Sequence, residues 1–450
     1  MTTIAPESST VKRALSAHAA IGLLAGALLY IVSLSGTLAV FYQEFQRIEQ
    51  PRAPEMASID PQAVQRGIEA VLAREKGKPL ATHLYVHLPV EGLPRTVITT
   101  DTQAVHIDRT GKIAGKEEIA WSDFLAQLHY MLNIPGLFGF ILVGILGVMM
   151  LTLSLSGVIA HPRIFRDAFR LRARDKGGLG LADWHNRMSV WTLPFILAIS
   201  LTGALIGTAG LTAYGIGATG YKGDMEAVYA SIFGPEGKPD TKAAPAPNIA
   251  AALDYMAAHY PGQRLTYVTL HDPLTAGQHV QIVGTFERRL VFGEYYNFDA
   301  AGRFIGRAGI SDGPAGRQMA ASNYNLHFGN FGGLPVKMAY FILGMALTAI
   351  CATGTYIWLG KRERRGIGGP RIRATWDAVV WGSPLILALA FVLRKTLGND
   401  LPLVAIFWGG LAAILVAAWF FAAPGQIAKL LKRALLLACG LGSALALAGF

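Results

Sequence analysis

Seven apolar stretches punctuate the chain, and two long polar segments separate them. Four runs, roughly 17–41, 136–160, 189–213 and 336–359, and three more near 376–393, 403–422 and 434–449 approach the about 20 apolar residues that a bilayer-spanning helix needs. The first run follows Lys12 and Arg13. It is longer than the about 7–15 apolar residues of a signal peptide and has no Ala-x-Ala end, so it reads as a retained anchor. The polar segments show other periods. In the first, Asp60 suits an N-cap with Pro61 at the next position, and Val64, Ile68, Val71 and Leu72 form one apolar stripe. Strands are predicted at Leu84–Pro89, Thr96–Thr99 and Ala104–Asp108, with a turn at Thr110-Gly111. The second repeats the plan: Asn248 caps a helix carrying Ile249, Leu253 and Met256, followed by strands at Tyr267–Pro273, Val280–Val283 and Tyr295–Asp299 and a turn at Ala301-Gly302.

Composition agrees with a membrane chain. Of 450 residues 52% are hydrophobic and only 15% are charged, against roughly 25% charged in soluble domains. The same figures exclude intrinsic disorder, which needs low hydrophobicity. Cys351 and Cys439 both sit in apolar runs, so no disulfide scaffold exists, and no Cys-x-x-Cys-His occurs for covalent haem. The net charge of +11 is concentrated: segment 161–187 has seven basic and three acidic residues, and 361–373 has six and one. The long segments balance, with ten basic and twelve acidic residues in 44–128, and nine and ten in 214–326. By the positive-inside rule the short loops and the N-terminus are cytoplasmic and the long segments lie outside, periplasmic in a Gram-negative cell. Arg394 and Lys395 run mildly against this scheme. The basic charge thus encodes orientation, and no nucleic-acid partner is expected.

The expected fold is an α-helical membrane bundle of about seven spans, with a pseudo-symmetric four-span core and two extracytoplasmic α+β domains. Its parts are the N-terminus with the first span (1–45), the first outer domain (46–135), the second and third spans with their basic loop (136–213) and the second outer domain (214–335). The fourth span with its basic loop (336–375) and three additional spans (376–450) complete it.

The four-span core is an internal repeat. His18 precedes Ser-Leu-Ser-Gly ending at Gly36, and His185 precedes Ser-Leu-Thr-Gly ending at Gly203; both separations are 18 residues, five whole turns, which places each pair on one helix face. Leu128-His129 leads through Pro135 to Gly157, and Leu326-His327 through Pro335 to Gly354. A pseudo-two-fold axis would bring His18 toward His185, and His129 toward His327. An interfacial histidine is ordinarily bonded to water or a loop carbonyl, but ionisable residues at membrane depth point to function, and recurrence in both halves strengthens that reading. Two imidazoles facing across a bundle are what six-coordinate haem iron requires. The glycines at 36, 157, 203 and 354 suit close helix packing. His161 complicates the inner site: it follows Gly157 by one turn, where the second half has Trp358. It is a replacement ligand, a propionate partner or a helix-end cap. Arg163, Arg166 and Arg187 fit propionates or simply the positive-inside rule.

Other chemistries find less support. No His-Glu-x-x-His marks a zinc hydrolase, and no nucleotide loop is present for NAD(P)H or ATP. His83, His87, His106, His259, His271 and His279 fall in the outer segments and read as surface histidines; His83 and His87 share a strand face, a weak metal spacing.

The layout and motifs resemble the PepSY-associated transmembrane family, iron-regulated membrane proteins that include bacterial inner-membrane ferric-siderophore reductases. The carrying stretches are His18 through Ser-Leu-Ser-Gly-Thr-Leu, Leu-His129 through Ser-Gly-Val-Ile-Ala-His161-Pro-Arg, Trp184-His185 through Ser-Leu-Thr-Gly-Ala-Leu, and Leu-His327-Phe-Gly-Asn-Phe-Gly-Gly-Leu-Pro335. The resemblance spans residues 10–360 and implies PepSY-type outer domains and, as in reductase members, two b-type haems held by span histidines. It leads to the expectation of an inner-membrane reductase. Electrons from a cytoplasmic or quinol donor would reach an inner haem near His18, His185 and His161. They would pass to an outer haem near His129 and His327, and then to a periplasmic ferric chelate such as a ferric siderophore. Arg317, Asn323, Tyr324 and Asn325 offer donors for that substrate beside His327. A non-redox PepSY-type binding or regulatory protein and a transporter are the rival readings, the latter weakened by the scarcity of acidic residues in the spans.

Overall fold

The computed structural model describes residues 9–78, 81–166, 169, 179–233, 240–286, 289–421 and 425–449. The elements begin with α1 (Ser9–Ala39), α2 (Tyr42–Glu49) and α3 (Pro61–Glu75), then β1 (His83–His87), β2 (Thr96–Thr99), β3 (Ala104–Ile107) and β4 (Ile113–Lys116). Helices α4 (Ala120–Met131), α5 (Leu137–Ala160), α6 (Leu179–Trp191), α7 (Leu193–Gly207), α8 (Ala209–Gly220), α9 (Met225–Phe233) and α10 (Ile249–His259) follow. Strands β5 (Arg264–His271), β6 (His279–Thr285), β7 (Glu294–Phe298) and β8 (Phe304–Arg307) come next. The chain ends with α11 (Ala315–Phe328), α12 (Gly333–Arg364), α13 (Pro370–Leu397), α14 (Leu403–Phe421) and α15 (Gln426–Leu447). These elements form a helical unit (Met1–Tyr42, Ala120–Ala209, Gly333–Phe450) and a sheet unit (Gln43–Ile119, Gly210–Gly332). Four of the seven basic residues of segment 161–187, Arg170, Arg172, Arg174 and Lys176, lie outside the described residues.

In the sheet unit both expected caps are made. Asp60 accepts from the Gln62 and Ala63 amides with Pro61 opening α3, and Asn248 accepts from the Ala251 amide at α10, which satisfies amides that a helix start leaves unpaired. The two α+β segments were expected as separate domains. Their strands instead join in one eight-stranded sheet, ordered β4-β3-β2-β1-β5-β6-β7-β8, through antiparallel pairing of β1 with β5. One sheet face packs on α3 and α10 around Val64, Ile68, Leu84, Ile98, Val268 and Ile282. Alternation along β1 and β5 then turns His83, Tyr85, His87, Tyr267 and His271 to the opposite face. The turn at Gly111 has φ +86°, and a Cβ there would collide with the Ala63 carbonyl, so only glycine lets the β3–β4 hairpin lie on α3.

Among the described residues of the helical unit, α1, α5, α12, α13, α14 and α15 are long and apolar enough to cross a membrane. The third apolar run departs from its expected straight span. It breaks at Thr192 into α6 and α7, which bend by 69°. Pro194 sits in the first turn of α7, where its missing N–H and ring prevent continuation from α6. Counted as one span, this bent pair would make a seventh. The five-turn argument therefore holds for His18 and Gly36 on the unbroken α1, and fails for His185 and Gly203, which lie on different helices. Helices α5 and α7 approach closely: a Cβ on Gly207 would stand 2.7 Å from Gly144 Cα.

The C-terminal helices are anchored to the core. Trp376 on α13 donates to the Ala352 carbonyl at 3.1 Å, Tyr30 donates to the Val380 carbonyl at 2.7 Å, and Trp121 to that of Leu387 at 3.0 Å. Asp377, 5% exposed, accepts from the Tyr356 hydroxyl at 2.6 Å. One span thus buries an acid, and it holds the added helix against α12.

Candidate functional site

Within the helical unit, His18, His161 and His185 line one cavity of about 380 Å³ whose other walls are mostly aliphatic, among them Leu153, Val190, Ile196 and Leu347. That volume lies within the about 300–1,000 Å³ of small-molecule and cofactor sites. His18 projects from α1, and its Nδ1 lies 3.0 Å from the Leu153 carbonyl and 3.2 Å from the Ser156 hydroxyl, both on α5. His185 projects from α6, with Nδ1 2.9 Å from the Thr353 hydroxyl of α12. A carbonyl can only accept, so His18 donates from Nδ1, and the nitrogen left for a metal is Nε2, the usual tautomer of a ligating histidine. His161 follows the last residue of α5, its backbone amide donating to Val158. It is the exposed member of the three.

Glycines seat these rings. A Cβ at Gly157 would stand 3.4 Å from His18 Cε1, and one at Gly354 would stand 3.5 Å from His185 Cε1. His129 on α4 follows the rule, with Nδ1 2.9 Å from the Val32 carbonyl and a ring so close to Gly36 that a Cβ there would fall 2.6 Å from Nδ1. Three of the four repeated glycines, Gly36, Gly157 and Gly354, thus receive an imidazole from a neighbouring helix, where the sequence suggested helix packing alone. Leu132 and Asn133, at φ 53° and 55°, with Gly136 at φ 76°, turn the chain sharply between α4 and α5 and so set the His129 register.

Of the remaining predicted site residues, His327 lies on α11 in the sheet unit, edge-on to Phe328 at 5.8 Å, whereas His129 lies in the helical unit. The stretch around Arg317 is a helix, α11, where a Gly-rich loop was expected. Arg317 donates to the Ala308 carbonyl at 3.0 Å, Asn325 approaches that of Val291 at 3.5 Å, and Tyr324 stacks with Phe328 at 6.1 Å; Asn323 shares the helix and is also engaged. Arg317 and Asn325 thus tie α11 to its own unit. The basic residue that lines the helical cavity is Lys361, with Trp358 and Cys351 beside it. The propionate candidates Arg163, Arg166 and Arg187 do not line it; Arg187 is buried on α6 at 5% exposure.

A second gathering of histidines escaped the sequence reading. Pairing aligns His83 with His271 across β1 and β5, and His271 with His279 across β5 and β6. Their rings meet edge-on at 4.9 Å (71°) and in parallel at 4.4 Å (3°). The only signal available was a histidine on each of three strands, and the β1–β5 seam that aligns them is invisible to local pattern. Burial, and then the neighbouring His279 and His83, push His271 down to about 3. Burial likewise pushes His106 down to about 4, with Arg95 adding to it.

Comparison with known proteins converges on one family. The profile of the PepSY-associated TM region matches residues 15–361. An uncharacterised protein of Pseudomonas aeruginosa is 28% identical over 322 residues, 65% of this chain and 80% of the relative.

Proposed function

Because the chain belongs to the PepSY-associated transmembrane family, we propose that its helical unit is a haem-based electron conduit serving a ferric-chelate reductase of the bacterial inner membrane. The observation that carries this reading is the aliphatic cavity lined by three histidines, two of them with Nδ1 engaged by a neighbouring helix. The donor set fits a b-type haem: imidazoles suit iron, apolar walls suit a macrocycle, and Lys361 at the wall suits a carboxylate. Haem bound there would carry single electrons between a donor and an acceptor.

The chain's own residues hold and tune that site. His18 and His185 would hold the haem iron, their rings placed by Leu153, Ser156 and Thr353. Gly157 and Gly354 leave room for their rings. His161, at the exposed edge, interacts with a propionate. His129, beside the Val32 carbonyl and seated on Gly36, would belong to a second haem site nearer the outer surface. The aliphatic wall would keep water from a metal held there. By the positive-inside rule the sheet unit is periplasmic and the N-terminus cytoplasmic, with a cytoplasmic reductant or quinol as donor and a ferric chelate such as a ferric siderophore as acceptor. Reduction releases iron because hard oxygen chelators hold Fe(III) far more strongly than Fe(II).

Haem content of purified single variants tests the assignment. His18→Ala and His185→Ala should each lose one haem of two, His129→Ala the other, and His161→Ala neither. Full haem content in both His18→Ala and His185→Ala would refute the inner site.

A further inference from the structure

The row His83–His271–His279 has no part in the conduit, and it is built as a ligating set. It lies on the sheet face opposite α3 and α10, one histidine on each of three adjacent strands. His83 Nδ1 lies 3.0 Å from the Thr82 hydroxyl, and His279 Nδ1 lies 3.5 Å from the Gly277 carbonyl. Both flanking rings thus have Nδ1 beside an oxygen and Nε2 as the nitrogen left for a ligand once the ring turns. The central ring shows the complementary feature: His271 Nε2 is shut off from solvent and has no hydrogen-bond partner, an uncommon state for a buried polar atom.

The surroundings narrow the ligand. The adjacent row is Tyr85, Thr269 and Gln281, and the one beyond is His87, Tyr267 and Val283; neither carries a carboxylate or a cation. A donor set of imidazoles without carboxylates disfavours Ca²⁺ and Mg²⁺, which take oxygen ligands. It suits divalent first-row transition ions.

We propose that His83, His271 and His279 form a binding site for one divalent first-row transition ion on the sheet unit. The rings lean on one another, and among the described residues no group of three His, Cys, Asp or Glu is arranged to hold a metal ion as it stands. Closure comes from rotation of the half-buried His83 and His279 about their own side-chain torsions, which breaks the ring stack and turns Nε2 of each toward His271. The site does not depend on the haem reading.

Cu²⁺ titrated into tag-free, full-length protein in detergent tests it, followed by calorimetry and electron paramagnetic resonance. The expected result is one saturable equivalent whose spectrum shows nitrogen coupling from imidazoles. His271→Ala should weaken it by roughly 100-fold or more, a loss at or above that from removing a second-shell partner. His83→Gln and His279→Gln, at half-exposed positions, should each weaken it too, which covers the case in which His271→Ala unfolds the sheet. His259→Ala should bind as the parent does. Absence of saturable binding, or binding unchanged in His83→Gln and His279→Gln, would overturn the proposal.

Discussion

Three histidines gather in each unit, and the two gatherings are built on opposite plans. In the helical unit the rings come from different helices, two of them rest over a glycine, and they stand around a cavity of about 380 Å³. In the sheet unit they come from adjacent strands, spaced by the ladder itself, and fill the space between them with one another. Helix geometry puts one residue per turn or two on a given face and leaves gaps between neighbours, whereas paired strands hold side chains about 5 Å apart. The first arrangement leaves room for a macrocycle and the second only for an ion. The same residue type therefore stands in different surroundings according to the element that carries it.

The strongest way to break this comparison is to fill the cavity while leaving every histidine in place. Gly354→Leu puts four carbons where His185 rests and where the cavity begins. It should remove most of the inner haem from the purified protein yet leave Cu²⁺ binding to the sheet unit intact. Loss of both would mean that the substitution acts through global misfolding. Haem content equal to the parent would mean that the cavity is not the haem site.

A smaller effect separates the tight glycine seat from the looser ones. Gly36→Ala drives a Cβ into the His129 ring, 2.6 Å from Nδ1, and should cost about 1–3 kcal/mol as overpacking does. Gly354→Ala meets His185 only at 3.5 Å and should be near neutral. Thermal midpoints in detergent check the contrast, and equal midpoints would remove the ring-seat account.

The smallest expected effect lies in the pH dependence of the sheet unit. His106 is 3% exposed, with Nε2 2.9 Å from Gln50 Oε1. Its folded pKa is pushed to about 4 by burial and by Arg95, against an unfolded value near 6.5. Between those values the unfolded chain binds more protons, so stability is whole above about pH 6.5 and falls as pH drops toward 4. His106→Gln should flatten the midpoint-versus-pH curve across that window, and identical curves for parent and variant would contradict the assignment.

Much of the fold was legible because its signals are local. Asp60-Pro61 and Asn248 are caps readable in a few residues, and the alternation in Thr96–Thr99 matches β2 residue for residue. Long-range features were hidden. The β1–β5 seam joins strands about 180 residues apart in sequence, and neither strand shows which edge it offers. The break at Thr192 had its signal in Pro194, but an average over about 20 residues does not register a single proline. Helix α11 reads as a loop because its glycines and polar residues mask a 14-residue helix. The inner site was legible through repetition: His18 and His185 recur with their glycines, and the structure places both on one cavity with His161. What the repeat did not show is that each ring rests on the glycine of a neighbouring helix and not on that of its own run.

The central claim is that the helical unit carries haem, and the visible spectrum of the purified full-length protein tests it most directly. Protein expressed with ample haem should show a Soret band that shifts on dithionite reduction, together with the sharp α-band of bis-imidazole b-type haem. A spectrum without any Soret absorption, from protein shown to be folded, would contradict the account.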